Sequence, residues 1–269
     1  MRLWRAVTIG PAGPELEAWL VDEGLPGWED LGDVYRFYLS PENAGTEDEL
    51  HRNVPEGTRW EAADIDEEDW AEGWKQYFKP TRLTARLAVC PTWEEWTPPD
   101  GVSVIRMDPG MAFGTGGHQT TRLCMEFVER YLKPSGTLLD VGTGSGILAL
   151  GGLLLGAGET LCTDNDPLCI TVCRQNLALN QVAAEVVQGE SFSPVAGRTF
   201  DMVVANLVTV ALLALAPDIA GVLNDGGVFV GSGTTAERLP EVLQTLQDGG
   251  LSVLEARVDG EWAAVAASR

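Results

Sequence analysis

Apolar residues in this chain fall in short runs, and the changing period of those runs predicts the elements. Residues 3–9 alternate as a strand and stop at Gly10-Pro11. Residues 14–23 carry Leu16, Trp19 and Leu20 at helical spacing, with Gly24 as a stop. Residues 34–39, rich in aromatic and branched side chains, predict a second strand. A capping pattern, Thr46-x-x-Glu49, opens a short helix over 46–52, and residues 60–65 close the region as a strand. The implied order, β-α-β-β-α-β, is that of a small ferredoxin-like α+β domain. Next comes an acidic run, 64–72, containing Trp70 and followed by Trp74, which predicts an exposed connecting helix. A strand over 82–89 and the Pro- and Trp-rich stretch 90–99 follow.

From residue 101 the rhythm becomes regular. Strands are predicted over 102–107, 137–141, 160–163, 185–188, 202–205 and 227–231. Helices are predicted over 119–132, 147–155, 167–180 and 212–223. Short apolar strands alternating with helices of this length imply βαβ units and a mainly parallel, doubly wound sheet. The expected division is a domain over 1–62, a linker helix and connecting segment over 63–100, and an α/β domain over 101–269.

Composition narrows the classes. No stretch of 18 apolar residues suggests a membrane span, and the start, Met1-Arg2-Leu3-Trp4-Arg5, lacks the long apolar region of a secretory signal. The five cysteines include no Cys-x-x-Cys pair and only His51 and His118 accompany them, so reduced thiols, no metal site and a cytoplasmic protein are expected. A net charge of −22 argues against gripping nucleic acid. It favours encounter with a basic partner, and residues 1–100, with 9 Lys+Arg against 22 Asp+Glu, are the more acidic part for their size. Nothing in the pattern demands more than a monomer.

Four segments carry chemistry. The first is Asp140-Val141-Gly142-Thr143-Gly144-Ser145-Gly146, an apolar strand running through glycines into a helix. Glycine lets the chain turn sharply and brings bare backbone to a ligand. A dinucleotide fingerprint fails, because its last glycine position falls on Ile147, and no Lys-Ser/Thr pair follows as a phosphate loop requires. The second is Asp164, about 20 residues on at the end of the next strand, where a carboxylate can accept from both ribose hydroxyls. Its neighbour Asp166 suits the cap of the helix opening at Pro167. The third is Asn206, just past the strand 202–205, whose carbonyl could orient an amine or a cofactor ammonium. The fourth is the glycine-rich loop from Asp108 to Thr121, with Thr120 and Thr121 near a helix N-terminus suited to a carboxylate. His118 there is a possible base, although a lone histidine more often makes a structural hydrogen bond.

The loop, Asp108-Pro109-Gly110-Met111-Ala112-Phe113-Gly114-Thr115-Gly116-Gly117-His118-Gln119-Thr120-Thr121, followed by the glycine motif, resembles the ribosomal protein L11 methyltransferase family (PrmA). Glu68-Asp69-Trp70 to Lys79-Pro80, Arg86 to Glu94, and Gly260-Glu261-Trp262 extend the likeness over roughly residues 60–269. Departures fall at Gly117 and Gln119, where Thr and Pro are expected, and at Thr143, where Cys is common. The resemblance implies a class I Rossmann-like methyltransferase domain joined to a small N-terminal domain that recognises the substrate. It implies S-adenosylmethionine as cofactor, contacts from Thr121, Gly142, Asp164 and Asn206, and lysine or N-terminal amines of ribosomal protein L11 as acceptors, with Asn206 as the catalytic candidate. The alternatives are a methyltransferase for another protein lysine or a small amine, and a non-catalytic cofactor-binding assembly module; a nicotinamide oxidoreductase ranks last.

Overall fold

The computed structural model describes residues 4–13, 15, 16, 19, 20, 28–39, 46–65, 78–108, 117–195 and 197–269. The expected connecting helix over 64–72 lies outside these beyond residue 65, as does the loop over 109–116. The chain forms two compact units, Met1–Phe78 and Lys79–Arg269.

The smaller unit contains β1 (Trp4–Gly10), β2 (Trp28–Asp30), β3 (Tyr35–Leu39), α1 (Glu47–Asn53) and β4 (Arg59–Ile65). Its sheet is antiparallel throughout, in the order β2-β3-β1-β4, the order of the ferredoxin-like fold. Alternate residues Val7 and Ile9 of β1, with Phe37 and Leu39 of β3, turn to one face because side chains in a strand repeat every two residues. Leu16 and Leu20, both helical, and Leu50 cover them; residues 17, 18 and 21–23 of that predicted helix are outside the described set. The three-residue β2 is too short to leave a periodic signal; the order β-α-β-β-α-β requires it, but the pattern assigns it no range. The capping box at Thr46 does not form: Thr46 takes helical dihedrals, φ −88° and ψ −9°, and its side chain makes no cap hydrogen bond. A closed cap needs extended geometry at that residue.

The larger unit opens with β5 (Thr81–Arg82), β6 (Leu87–Cys90) and β7 (Ser103–Arg106), a small sheet of its own. Residues 79–100, read from sequence as part of the connecting segment, thus pack with this unit. The single strand expected over 82–89 is a hairpin. Thr84 Oγ1 accepts from the amides of Arg86 (3.3 Å) and Leu87 (3.0 Å), and the Arg82 guanidinium donates to the carbonyls of Thr84 and Ala85. Side-chain bonding to nearby backbone supplies a turn where the residue pattern alone reads as strand.

Then come α2 (Gln119–Tyr131), β8 (Leu138–Val141), α3 (Ile147–Leu154), β9 (Thr160–Asp164), α4 (Pro167–Leu179), β10 (Glu185–Gln188), β11 (Phe200–Asn206), α5 (Thr209–Val222), β12 (Leu223–Thr235), α6 (Leu239–Asp248), β13 (Ser252–Asp259) and β14 (Trp262–Ser268). The seven-stranded sheet runs β10-β9-β8-β11-β12-β14-β13, with β14 alone antiparallel to its neighbours on both sides. Its inner strands β8, β9 and β11 read as largely apolar runs because both faces are covered. Met202 and Val204 of β11 enter one core with α2, α3 and α4; Val203 and Ala205 enter the other with α5 and α6. The sequence reading ended its elements at residue 231, so α6, β13 and β14 are additions. It also started α5 three residues late and gave β12 only its middle. None of the described helices is long and apolar enough to cross a membrane.

Candidate functional site

The predicted residues gather where the parallel strands end, the edge at which doubly wound sheets bind ligands. At the end of β8 the chain must fold over its neighbour, and the amides of Gly142 and Thr143 donate to Thr163 O at 2.8 and 2.9 Å. Gly142 takes φ +69°, a left-handed conformation, and a Cβ there would collide with Leu207 Cδ2. A side chain is excluded twice, by backbone strain and by space. The bare loop then leads into α3.

Alternation along β8 turns Asp140 towards the α3 side, where it is almost fully buried. Its Oδ2 accepts from Thr143 Oγ1 at 2.7 Å and from the Ala149 amide at 3.2 Å. Oδ1 has no partner among the described residues. Burial pushes its pKa up to about 6 against those two stabilising hydrogen bonds, and the charge of Asp164 adds to the rise.

Asp164 ends β9 half-buried, and each carboxylate oxygen holds one amide: Oδ2 takes Gly144 N at 2.9 Å and Oδ1 takes Asp166 N at 3.0 Å. Ionised, each oxygen keeps a lone pair for another donor. Asp166 plays the separate role assigned to it, capping α4 through Leu168 N→Oδ1 at 2.8 Å with Pro167 next in line. The two neighbouring acids therefore divide the work.

Asn206 ends β11 on the other side of the glycine loop. Its Nδ2 donates to Thr121 Oγ1 over a long 3.4 Å, which leaves the carbonyl oxygen as a spare acceptor. Gly142, Asp164 and Asn206 line one cavity of about 460 Å³. Thr121 is fully buried behind Asn206 and is not part of that lining among the described residues.

His118 caps α2. Its Nδ1 lies 3.3 Å from the Thr120 amide and 2.7 Å from Thr120 Oγ1, and its ring meets Trp262 edge-on at 4.9 Å between centroids. Partial burial lowers its pKa, so a neutral, accepting ring is favoured. This is the structural role, with a base role unsupported. At the loop's other end, Asp108 accepts from Thr92 N (2.7 Å) and Thr92 Oγ1 (2.6 Å). The segment Gly260-Glu261-Trp262 stands at the start of α2: a Cβ on Gly260 would be 3.4 Å from Gln119 Nε2, and Arg122 pairs with Asp259. Two motifs some 140 residues apart are thus one feature in space.

The cavity also holds residues the sequence reading missed: Cys169 on α4, Gly189-Glu190-Ser191 after β10, and Leu207, Ala211 and Leu215 around the start of α5. The carboxyl-end rule that located Asp164 and Asn206, applied to β10, would have pointed to 189–191. Leu207 carries no polar signal and is visible only through its contact with Gly142.

Against known proteins, the family described as Ribosomal protein L11 methyltransferase (PrmA) matches residues 40–269. The Ribosomal protein L11 methyltransferase of Pelotomaculum thermopropionicum is 47% identical over 205 residues, 76% of this chain and 66% of that protein, so the match spans just under two thirds of the relative. That of Symbiobacterium thermophilum is 38% identical over 270 residues, covering 99% of this chain and 85% of its own length. The crystal structure of ribosomal protein L11 methylase from Lactobacillus delbrueckii subsp. bulgaricus superposes with a TM-score of 0.66 at 36% identity, over 71% of this chain and 99% of that one. The glycine turn, the two acids after β9 and the asparagine after β11 occur here within the matched region, and the chain belongs to the ribosomal protein L11 methyltransferase family.

Proposed function

We propose that the protein transfers methyl groups from S-adenosylmethionine to amines of ribosomal protein L11, lysine side chains and the N-terminal amine among them. The observation that carries this reading is the convergence of Gly142, Asp164 and Asn206 on one cavity in a chain of this family. The cavity suits such a cofactor. A volume of about 460 Å³ is in the range of small-molecule sites. The backbone at Gly142 is bare, and Asp164 has acceptor capacity left on both oxygens for a ribose diol.

When bound, S-adenosylmethionine supplies a methyl group on a positively charged sulfur. The chain's part is alignment. Asp164 anchors the ribose while its bonds to Gly144 N and Asp166 N hold the loop in place. Thr121 fixes the amide of Asn206, whose carbonyl accepts from the incoming amine and aims its lone pair. Leu207 and Leu215 form an apolar wall that excludes water. Holding reactants in line is worth several kcal/mol of barrier, and an apolar wall favours the neutral amine that attack requires over the ammonium that dominates below a pKa of about 10.4. In this reading the domain over 1–62 recognises the substrate, the expected connection over 63–100 is confined to its part before Lys79, and the unit from Lys79 to Arg269 carries catalysis. The protein works as a cytoplasmic monomer without a nucleic-acid ligand.

The test is incubation with labelled S-adenosylmethionine and purified ribosomal protein L11, read by intact mass. Steps of one methyl group, abolished by Asp164→Ala, are the expected result. Cofactor binding without any mass gain on L11 would remove the substrate, and a gain on another lysine protein or a small amine would reassign it.

A further inference from the structure

The start of α5 is unusual for a helix that begins beside a cavity. Its N-cap is Val208, a residue with no group to cap the first amides, and its first turn carries no acid. Val208 and Val210 are the most exposed of the large apolar side chains described, at 70% and 68%, on either side of the buried Thr209. Single exposed valines mean little. Here two stand together, two and four residues past Asn206, while Ala211 and Leu215 of the same helix line the cavity. The apolar surface therefore continues from the cavity wall out over its rim.

The turn is held firmly. Leu207 N donates to Ser232 O at 3.0 Å, and the hydroxyls of Thr209 and Thr234 meet at 3.1 Å. These contacts fix 207–209 against the end of β12. Two residues on, Ala236 N donates to Glu261 O at 2.8 Å. The same edge of the sheet thus carries Glu237 and Glu261, both exposed and neither ion-paired among the described residues.

We infer that Val208 and Val210, with Glu237 and Glu261 behind them, form an acceptor lip that receives the amine-bearing segment of a basic protein substrate. The inference rests on the methyl-transfer reading above and adds where the substrate chain lies. A lysine has a long aliphatic stem ending in a cation, so it matches an apolar surface edged with carboxylates. The valines cover the stem of the lysine being modified as its nitrogen reaches Asn206. The two glutamates attract neighbouring cations of the substrate, and this attraction is screened by salt.

The experiment uses the full chain, ribosomal protein L11 as acceptor, and the double variants Val208→Thr/Val210→Thr and Glu237→Gln/Glu261→Gln. All four side chains are exposed, and threonine at the N-cap position 208 can only add a helix cap, so neither pair should lower stability much. The threonine pair is expected to raise KM for the protein acceptor roughly fivefold, while the Kd for S-adenosylmethionine stays the same. The glutamine pair is expected to raise KM at low salt and to flatten its dependence on salt. An active wild type with KM and salt dependence unchanged in both variants would overturn the lip and leave the methyl-transfer reading standing. A wild type that binds S-adenosylmethionine and methylates no amine on L11 would overturn both.

Discussion

Two strand–helix junctions face each other across the cavity, and they are built by opposite rules. After β9 the order is Asp164, Asn165, Asp166, Pro167; both carboxylates there have an internal task, and the helix is capped. After β11 the order is Asn206, Leu207, Val208, Thr209; the helix is uncapped and Val208 and Val210 at its start face outwards. A junction that binds the same ligand on every cycle gains from being finished in advance, because preorganised groups lose little freedom on binding. One that admits a changing partner gains from surface left open. The contrast fits the proposed placement of the cofactor on the β9 side and the acceptor on the β11 side, and it can be broken by substitution.

The largest effect is expected at Asp164. Removing its carboxylate in Asp164→Ala takes away both ribose acceptors and leaves the amides of Gly144 and Asp166 without a partner. Charge-assisted hydrogen bonds are each worth about 1.5–3 kcal/mol, so losing two should lower cofactor affinity by roughly 100- to 20,000-fold. Titration calorimetry would measure it, and a loss below tenfold would mean that the finished junction does not hold the cofactor.

Asp140, under the glycine loop, sharpens the comparison by showing what an acid costs when no solvent reaches it. Its folded pKa of about 6 exceeds the ordinary value of 3.8. The native state therefore binds the proton more tightly than the unfolded chain. This favours folding below about pH 4, and the advantage is lost as pH rises through 6. Asp140→Asn removes that dependence. Relative to the parent it should gain roughly 3 kcal/mol between pH 4 and pH 7, as about 2 pKa units imply. Denaturant melts at both pH values would report it, and parallel stability curves would show that the acid is not strained.

How much of this was legible follows from how local each signal is. The glycine turn, Asp164, the Asp166 cap and Asn206 are short-range features: a strand ends, a special residue follows, and the sheet does the rest. The apolar runs of β8, β9 and β11 likewise announce strands covered on both faces. The C-terminal hairpin hides for a physical reason. β14 is a run of Ala and Val buried on both faces, without alternation, and β13 alternates with the expected faces inverted: Leu254 and Val258 are exposed, while Glu255 and Arg257 are half-buried in ion pairs with each other and with α2. By contrast α6, with Leu239, Val242, Leu243 and Leu246 at helical spacing, carried a readable pattern that the sequence reading passed over. Leu207 depends on a partner that only the fold supplies, and the open rim at Val208 is a matter of exposure, which no spacing reveals.

A smaller effect is expected at the capped helix. Asp166→Ala should cost about 1 kcal/mol of stability, the usual value of an N-cap. It should leave cofactor affinity within a fewfold of the parent, because Asp164 still accepts the backbone amide of residue 166. Thermal melts with and without S-adenosylmethionine separate the two quantities. A markedly larger loss with S-adenosylmethionine than without it would merge the cap with the ribose anchor and erase the division of labour between the neighbouring acids.

The smallest effect is expected to have the opposite sign. Val208 holds its N-cap position in extended geometry, φ −57° and ψ 149°, which suits a capping side chain. Asn in its place can accept from the open amides of α5, so Val208→Asn should stabilise the fold by about 0.5–1 kcal/mol. The same change removes half of the apolar lip, so KM for the protein acceptor should rise two- to threefold as the melting temperature goes up. A residue kept for stability would lose both properties together, and one kept by chance would lose neither. Opposed signs, measured on one variant, would identify Val208 as a position where the fold forgoes a better helix to keep an apolar surface open to the acceptor.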